Sequence, residues 1–353
     1  MILGHGNNPF EFNKKITADF SSNVAFNHKS ESLKNYLSER ISCIHSYPDP
    51  ETRELSEKIA KHHNTEPNRI LVTNGSAEAM YLIAHLTELS NTAIIIPSFS
   101  EYEDACTLYK HTINYISSQE FAELRNSPFG SVWLGNPNNP DGNVFSQNDI
   151  LEKCYSNPLT VFILDEAYTH LCQEKTECFS GNETPENLII IKSLTKAFAI
   201  PGLRLGYILA NPVVIQRLYL MRPPWSVNTM SLIAGTYIMN HYSSLLPSAN
   251  ELNEESLFLQ KELSAIKGIE IKPSKCNFFL GQLVNSYANE VEIPGLTAKM
   301  LRKILVDEYS ILIRDASNFK GLTKYHFRIA AQNHNENIKL IEAINNIINK
   351  SRI

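Results

Sequence analysis

The sequence predicts an α/β chain: a large three-layer lobe around a mostly parallel sheet, followed by a smaller α+β lobe. Three observations carry this. Short apolar runs recur at 69–73 (RILVT), 92–97 (TAIIIP), 131–134 (SVWL), 160–166 (TVFILDE), 187–193 (NLIIIKS) and 205–210 (LGYILA). They are continuous rather than alternating, as suits strands covered on both faces. Helical stretches such as 76–89 and 100–109 stand between them, so this region reads as repeated strand–helix units with parallel strands. From about residue 211 the pattern changes to longer amphipathic segments, among them 251–266 and 335–349, interleaved with IEIK, CNFFLGQL, YSILIRD and YHFRIAA. The expected division is 1–40 as an N-terminal arm and part of the small domain, 41–240 as the large domain, and 241–353 as the small C-terminal domain.

Bulk properties narrow the partners. With 353 residues and 43% hydrophobic content the chain can bury a sizeable core. A formal charge of −5 leaves no broad basic face, so neither nucleic acid nor an anionic membrane is an expected partner, and small molecules are. The six cysteines include no C-x-x-C pair, which fits reduced thiols in the cytoplasm and no metal site. The opening MILGHGNNPFEF lacks the charge and apolar run of a signal peptide, and no stretch approaches the roughly 20 apolar residues of a membrane span.

Ligands of open α/β sheets bind outside the carboxyl ends of the strands, so the residues just past each run are the informative ones. After RILVT come Asn74, Gly75, Ser76, Ala77 and Glu78, a glycine turn and a helix start whose free N–H groups can hold an anion. Taken alone, Ser76 could equally be an ordinary cap. After SVWL comes GNPNNPDG (135–142), which in isolation would be a surface turn. TVFIL is followed by Asp165, Glu166, Ala167 and Tyr168; a carboxylate closing an apolar strand either fixes a loop or meets a buried cation. Ser193 and Lys196 follow the next run, inside SLTKAFAIPGLRLGY (193–207), where Lys196 and Arg204 stand among apolar residues. A buried cation is costly unless paired or neutralised, and a lysine amine is readily neutralised by desolvation. Together the loops offer an amine, an anion, phosphate donors and a further ring donor, the parts that pyridoxal 5′-phosphate requires.

With these residues in place, the chain resembles the fold-type I pyridoxal-phosphate enzymes of the class I/II aminotransferase superfamily over nearly its whole length. S-L-T-K with an arginine eight residues later is a fairly specific signature. The resemblance implies that Lys196 binds the cofactor aldehyde, that Asp165 pairs with the ring nitrogen, and that Tyr168 and Asn139 address O3′. Gly75, Ser76, Ala77, Ser193 and Arg204 would hold the phosphate. Tyr102, in PSFSEYEDA, would stack on the ring. Tyr47, in SYPDP, would reach the phosphate of the neighbouring subunit's cofactor, which implies a homodimer with shared active sites. Arg328, in FRIAA, would grip a substrate α-carboxylate.

Two relatives within the superfamily act on phosphorylated amine compounds. HGNN (5–8), DFSSN (19–23), PWSVN (224–228), ILIRDASNFKGL (311–322) and the lysine motif are more similar to the threonine-phosphate decarboxylases of cobalamin assembly than to the alternative, the histidinol-phosphate aminotransferases. Three departures stand out. Asn7 occupies a glycine position, Asp141 replaces the threonine of N-P-T-G, and Tyr168 is aminotransferase-like where the decarboxylase often has phenylalanine. Proton removal and loss of carbon dioxide differ only in which substrate bond stands perpendicular to the cofactor ring. Arg328, Arg314, Asn23 and His5 are the candidates for setting that orientation and for binding the substrate phosphate. A cofactor-binding regulator without turnover is the remote alternative, and the complete lysine, aspartate, tyrosine and arginine set argues for an enzyme. A nicotinamide site is disfavoured, because GHGNNP follows no strand and lacks the third glycine of a dinucleotide loop.

Overall fold

The computed structural model describes residues 8–26, 28–174, 184–284 and 296–350. After a two-residue strand β1 (Ala18–Asp19), seven strands form the central sheet: β2 (Ile70–Thr73), β3 (Asn91–Ile96), β4 (Thr112–Ser117), β5 (Ser131–Gly135), β6 (Val161–Asp165), β7 (Leu188–Ser193) and β8 (Gly206–Leu209). Their order is β2-β8-β7-β6-β5-β3-β4; β8 runs antiparallel to both neighbours and the other pairs are parallel.

Each expected apolar run lies on a strand, and successive residues face opposite cores. Ile94, Trp133, Ile163 and Ile189 pack on one side with the helices Gly75–Leu86 and Ser100–Leu108. Ile95, Leu134, Leu164 and Ile190 pack on the other with the helices Arg53–His62, Gln147–Ser156 and Thr229–Asn240. Because side chains alternate along a strand, two covered faces require an unbroken apolar run. No such run announces β4 (TINYIS). It is the edge strand, and most of its residues stay partly or fully exposed.

The second core is built on β9 (Ile269–Ile271), β10 (Phe278–Leu283), β11 (Ile311–Leu312), β12 (Arg314–Asp315) and β13 (His326–Ala330). Four of these form an antiparallel sheet ordered β12-β13-β10-β9, and β11 pairs in parallel with β1. Phe279, Phe327 and Ile329 meet Leu340 and Ile344 of the helix His334–Lys350, and Ala18 and Phe20 join them from the start of the chain. The chain then passes between the two cores: Phe20 O accepts the Ala330 N–H at 2.9 Å, and the Ala25 N–H reaches Lys196 O at 3.1 Å. Ser21, Ser22 and Asn23 are thereby strung across the gap between the lobes. Cys172 and Cys276 face each other over an isolated antiparallel bridge as free thiols.

Candidate active site

The loops at the carboxyl ends of the parallel strands meet the inner face of the second sheet around a cavity of about 320 Å³. One end is built from glycine. Gly75 opens the helix Gly75–Leu86 at φ +78, and a Cβ there would sit 2.7 Å from Arg204 Nη2. At Gly206 a Cβ would come within 2.9 Å of Ser76 N and 2.8 Å of Lys192 O. Asn74 makes no side-chain cap, so the first-turn N–H groups at Ser76 and Ala77 remain available to an anion, with the helix dipole behind them. Ser76, Ala77, Thr195 and Arg204 line this end. Arg204 is itself held at φ 57, a left-handed backbone that turns the chain at the close of the short helix Pro201–Leu203.

At the centre Lys196 and Asp165 share the cavity wall. Burial, followed by the positive charges of Arg328 and Arg204, pulls the Lys196 amine down to about 8. Burial pushes the Asp165 carboxyl up to about 6, against hydrogen bonds from Tyr102 and Ala167 and the charge of Lys196. Those bonds aim the carboxylate: the Tyr102 hydroxyl donates to Oδ2 at 2.7 Å and the Ala167 N–H to Oδ1 at 3.1 Å. Tyr168 follows in the same loop, and burial raises its phenol to about 12, so it enters the cavity as a donor.

The opposite wall carries two arginines from neighbouring strands. Arg314 of β12 and Arg328 of β13 are register partners, and both line the cavity. Arg328 donates from Nη1 to Asn139 Oδ1 and from Nη2 to Ser21 O, each at 2.5 Å, while its Nε is buried without a partner. Arg314 donates to Asp315 O at 2.6 Å and to Asn318 Oδ1 at 2.8 Å. Burial pulls Arg314 down to about 9, with the charge of Arg328 adding to it, and Arg328 down to about 10. Both stay charged at neutrality. Asn23 is 2% exposed and lines the cavity, its amide next to the Tyr168 hydroxyl. Asp165 is the one carboxylate among the described lining residues, against Lys196, Arg204, Arg314 and Arg328. So cationic a pocket is suited to anions, and the unpaired Arg328 Nε calls for one.

Most expected residues converge here: Ser76, Ala77, Asn139, Asp165, Tyr168, Lys196, Arg204, Arg314, Arg328 and Asn23 line the cavity, and Gly75 lies against Arg204. Tyr102 is a correction. It is 2% exposed and turned into the core against Trp133, reaching the site only through Asp165, while Phe99 lines the cavity at the position expected of Tyr102. Phe99 is the residue before the helix Ser100–Leu108, at its mouth, whereas Tyr102 is inside the first turn on the buried face. Ser193 sits one step back, its hydroxyl 2.8 Å from that of Thr195, and Thr195 does the lining. Tyr47 is 84% exposed beside Trp225, outside this cavity. His5 and Asn7 fall outside the described residues. Phe99 in PSFSEYEDA and Thr195 in SLTK line the cavity, and residue type alone does not separate them from their neighbours.

A neutralisable lysine, a buried carboxylate and a glycine-lined anion cradle define the site of a pyridoxal-phosphate-dependent enzyme. The Gly75 and Gly206 contacts fit that cofactor: Lys196 would meet its aldehyde, Asp165 its ring nitrogen and the Ser76–Arg204 end its phosphate. Over residues 3–344 the chain matches the family described as aminotransferase class I and II, and it belongs to that family. It is 33% identical to the L-threonine-O-3-phosphate decarboxylase from Porphyromonas gingivalis, whose crystal structure it matches with a TM-score of 0.85 over 94% of this chain and 99% of that one. It is 32% identical to the histidinol-phosphate aminotransferase of Caldanaerobacter subterraneus subsp. tengcongensis, over 93% of this chain and 92% of the relative. A third relative, the adenosylcobalamin biosynthesis bifunctional protein CobDQ of Leptospira interrogans, is 29% identical over 99% of this chain, which spans only 41% of that longer protein.

Proposed function

We propose that the protein decarboxylates L-threonine O-3-phosphate, in cobalamin assembly in the cytoplasm, as a homodimer with shared sites. One observation carries the expectation of a doubly anionic substrate. Arg314 and Arg328 stand directly opposite each other on β12 and β13, in one cavity, held by neutral acceptors. Like charges paired across strands repel, so the pair suits a molecule bearing two anionic groups a few bonds apart. A β-phosphorylated amino acid has that form, with the carboxylate on one carbon and the phosphate on the next. The name of the decarboxylase relative from Porphyromonas gingivalis supports the same reading.

The residues divide the work as follows. Bound pyridoxal phosphate supplies an electron sink for charge left on the substrate carbon. Asp165, ionised above about pH 6, would hold a proton at the ring nitrogen, aimed there by Tyr102 and Ala167. Lys196, with its amine near 8, is readily uncharged for bonding to the aldehyde and can carry a proton to the substrate carbon. Arg328 would grip the carboxylate through its fork and orient the bond that breaks, and Arg314 with Asn23 would take the phosphate.

A second reading, histidinol-phosphate aminotransferase, is favoured by the Tyr168 hydroxyl at the cavity wall. Two incubations separate the readings. With threonine phosphate the expected products are carbon dioxide and aminopropanol phosphate. Histidinol phosphate with 2-oxoglutarate should yield no glutamate, and glutamate formation in its place would reverse the assignment. Borohydride should fix the cofactor to Lys196; a label on another lysine would remove the lysine from its role.

A further inference from the structure

We propose that Asp141 and Lys272 act as a positioning pair that holds Asn139 in the site by tying its turn to the small lobe; the inference rests on the pyridoxal-phosphate reading above. Asp141 closes the GNPNNPDG turn and is only 2% exposed. Its Oδ1 accepts from Asn138 Nδ2 at 2.7 Å and from the Asn143 N–H at 3.2 Å. Its Oδ2 accepts from Lys272 Nζ at 2.6 Å. Lys272 directly follows β9, and its N–H donates to Leu280 O of β10 at 2.9 Å, which fixes the lysine to the second sheet.

One carboxylate therefore closes the turn on itself and fastens it across the gap. A threonine hydroxyl could serve the turn, but it has no charge with which to hold an ammonium. A buried carboxylate is costly without compensation, and here two neutral donors and one cation provide it.

Asn139 lies between these anchors. Its Oδ1 is engaged by Arg328 Nη1, from β13 of the same small sheet, so the donor end of its amide is the part left to offer the cavity. The small lobe thus grips the turn twice, at Asn139 through Arg328 and at Asp141 through Lys272. Gly142 adds a third constraint: a Cβ there would come 2.1 Å from Ser274 Oγ, so this part of the turn is seated directly on the small lobe.

At the ring oxygen, where the resemblance puts it, the Asn139 donor would draw negative charge from that oxygen and weaken its hold on the proton beside the lysine-bound carbon. Loosening the tether should therefore raise the pH at which the lysine-bound cofactor loses that proton.

The experiment uses the full-length, cofactor-loaded protein and follows its visible absorption band with pH, together with kcat, KM and Tm. Lys272 is half exposed at its side chain (52%), so Lys272→Met should fold. It is expected to raise the spectral midpoint by about half a pH unit and to lower kcat roughly 3- to 10-fold, the scale of one charge-assisted hydrogen bond. Lys272→Arg should restore wild-type behaviour. Asp141→Asn should reproduce Lys272→Met, and the double variant should be no worse than either single one. An unchanged midpoint and kcat in Lys272→Met would overturn the proposal, as would a fall in Tm with the midpoint unmoved, which marks a merely structural bridge. Absence of any visible band in the wild-type protein would instead overturn the cofactor reading, and the tether with it.

Discussion

The two central residues are held in charge states that suit chemistry better than stability. Lys196 titrates near 8 because it is buried among Arg328 and Arg204, so the folded state disfavours its charged form. The sign is that of a depressed base: stability is fullest above the ordinary lysine value and is lost as pH falls through 8. Lys196→Met should abolish turnover yet raise the Tm of the cofactor-free protein at pH 7, a gain that fades above pH 10. At about 1.4 kcal/mol per pKa unit, the gain has an upper bound of roughly 3 kcal/mol. A lower Tm in the variant at pH 7 would refute it. Asp165 is a raised acid, so its contribution is present below about pH 4 and lost as pH rises through about 6. In cofactor-free Asp165→Asn that pH dependence should disappear from thermal melts, and in the loaded enzyme kcat should fall by about 100-fold or more. Melts that keep the wild-type slope between pH 4 and 6 would show that another group is responsible.

Strand ends and helix starts decide where these charges stand. The turn before the helix Gly75–Leu86 works only with glycine, since φ is +78 and the Cβ position is already occupied by Arg204 Nη2. Gly75→Ala should push Arg204 aside, weakening cofactor binding about tenfold in a fluorescence titration, with about 1 kcal/mol of backbone strain. Ser76→Ala, which leaves the backbone donors in place, should be milder. Equal affinities in Gly75→Ala and the wild type would mean that the phosphate lies elsewhere. Doubly buried strands such as β6 and β7 announce themselves by composition, while the edge strand β4, half exposed, does not. Tyr102 and Phe99 show the complementary limit. Both are aromatic residues near one helix start, and only the rotation of that turn sends one into the core and the other to the cavity.

For the whole molecule, the proposed homodimer has its own test. Ile41, Ile44, Tyr47 and Trp225 are all at least half exposed and apolar or aromatic. Sedimentation should give a dimer. Tyr47→Phe should loosen the cofactor without changing that mass, because the tyrosine would donate to the neighbouring subunit's phosphate. A monomer with full activity would remove Tyr47 from the site altogether. Among the described residues no helix is long and apolar enough to cross a membrane.

The sequence by itself determined the α/β lobe, the cofactor and most of the residues that line the cavity, because doubly buried strands demand continuous apolar runs and the loops behind them carry rare side-chain types at set spacings. Tertiary structure alone decided which side chains face one another. That Arg314 and Arg328 pair across β12 and β13 is a matter of strand register, and that Asp141 meets Lys272 is a contact between residues 131 positions apart. Neither follows from local pattern, because the first is set by strand register within the small sheet and the second by how the two lobes pack.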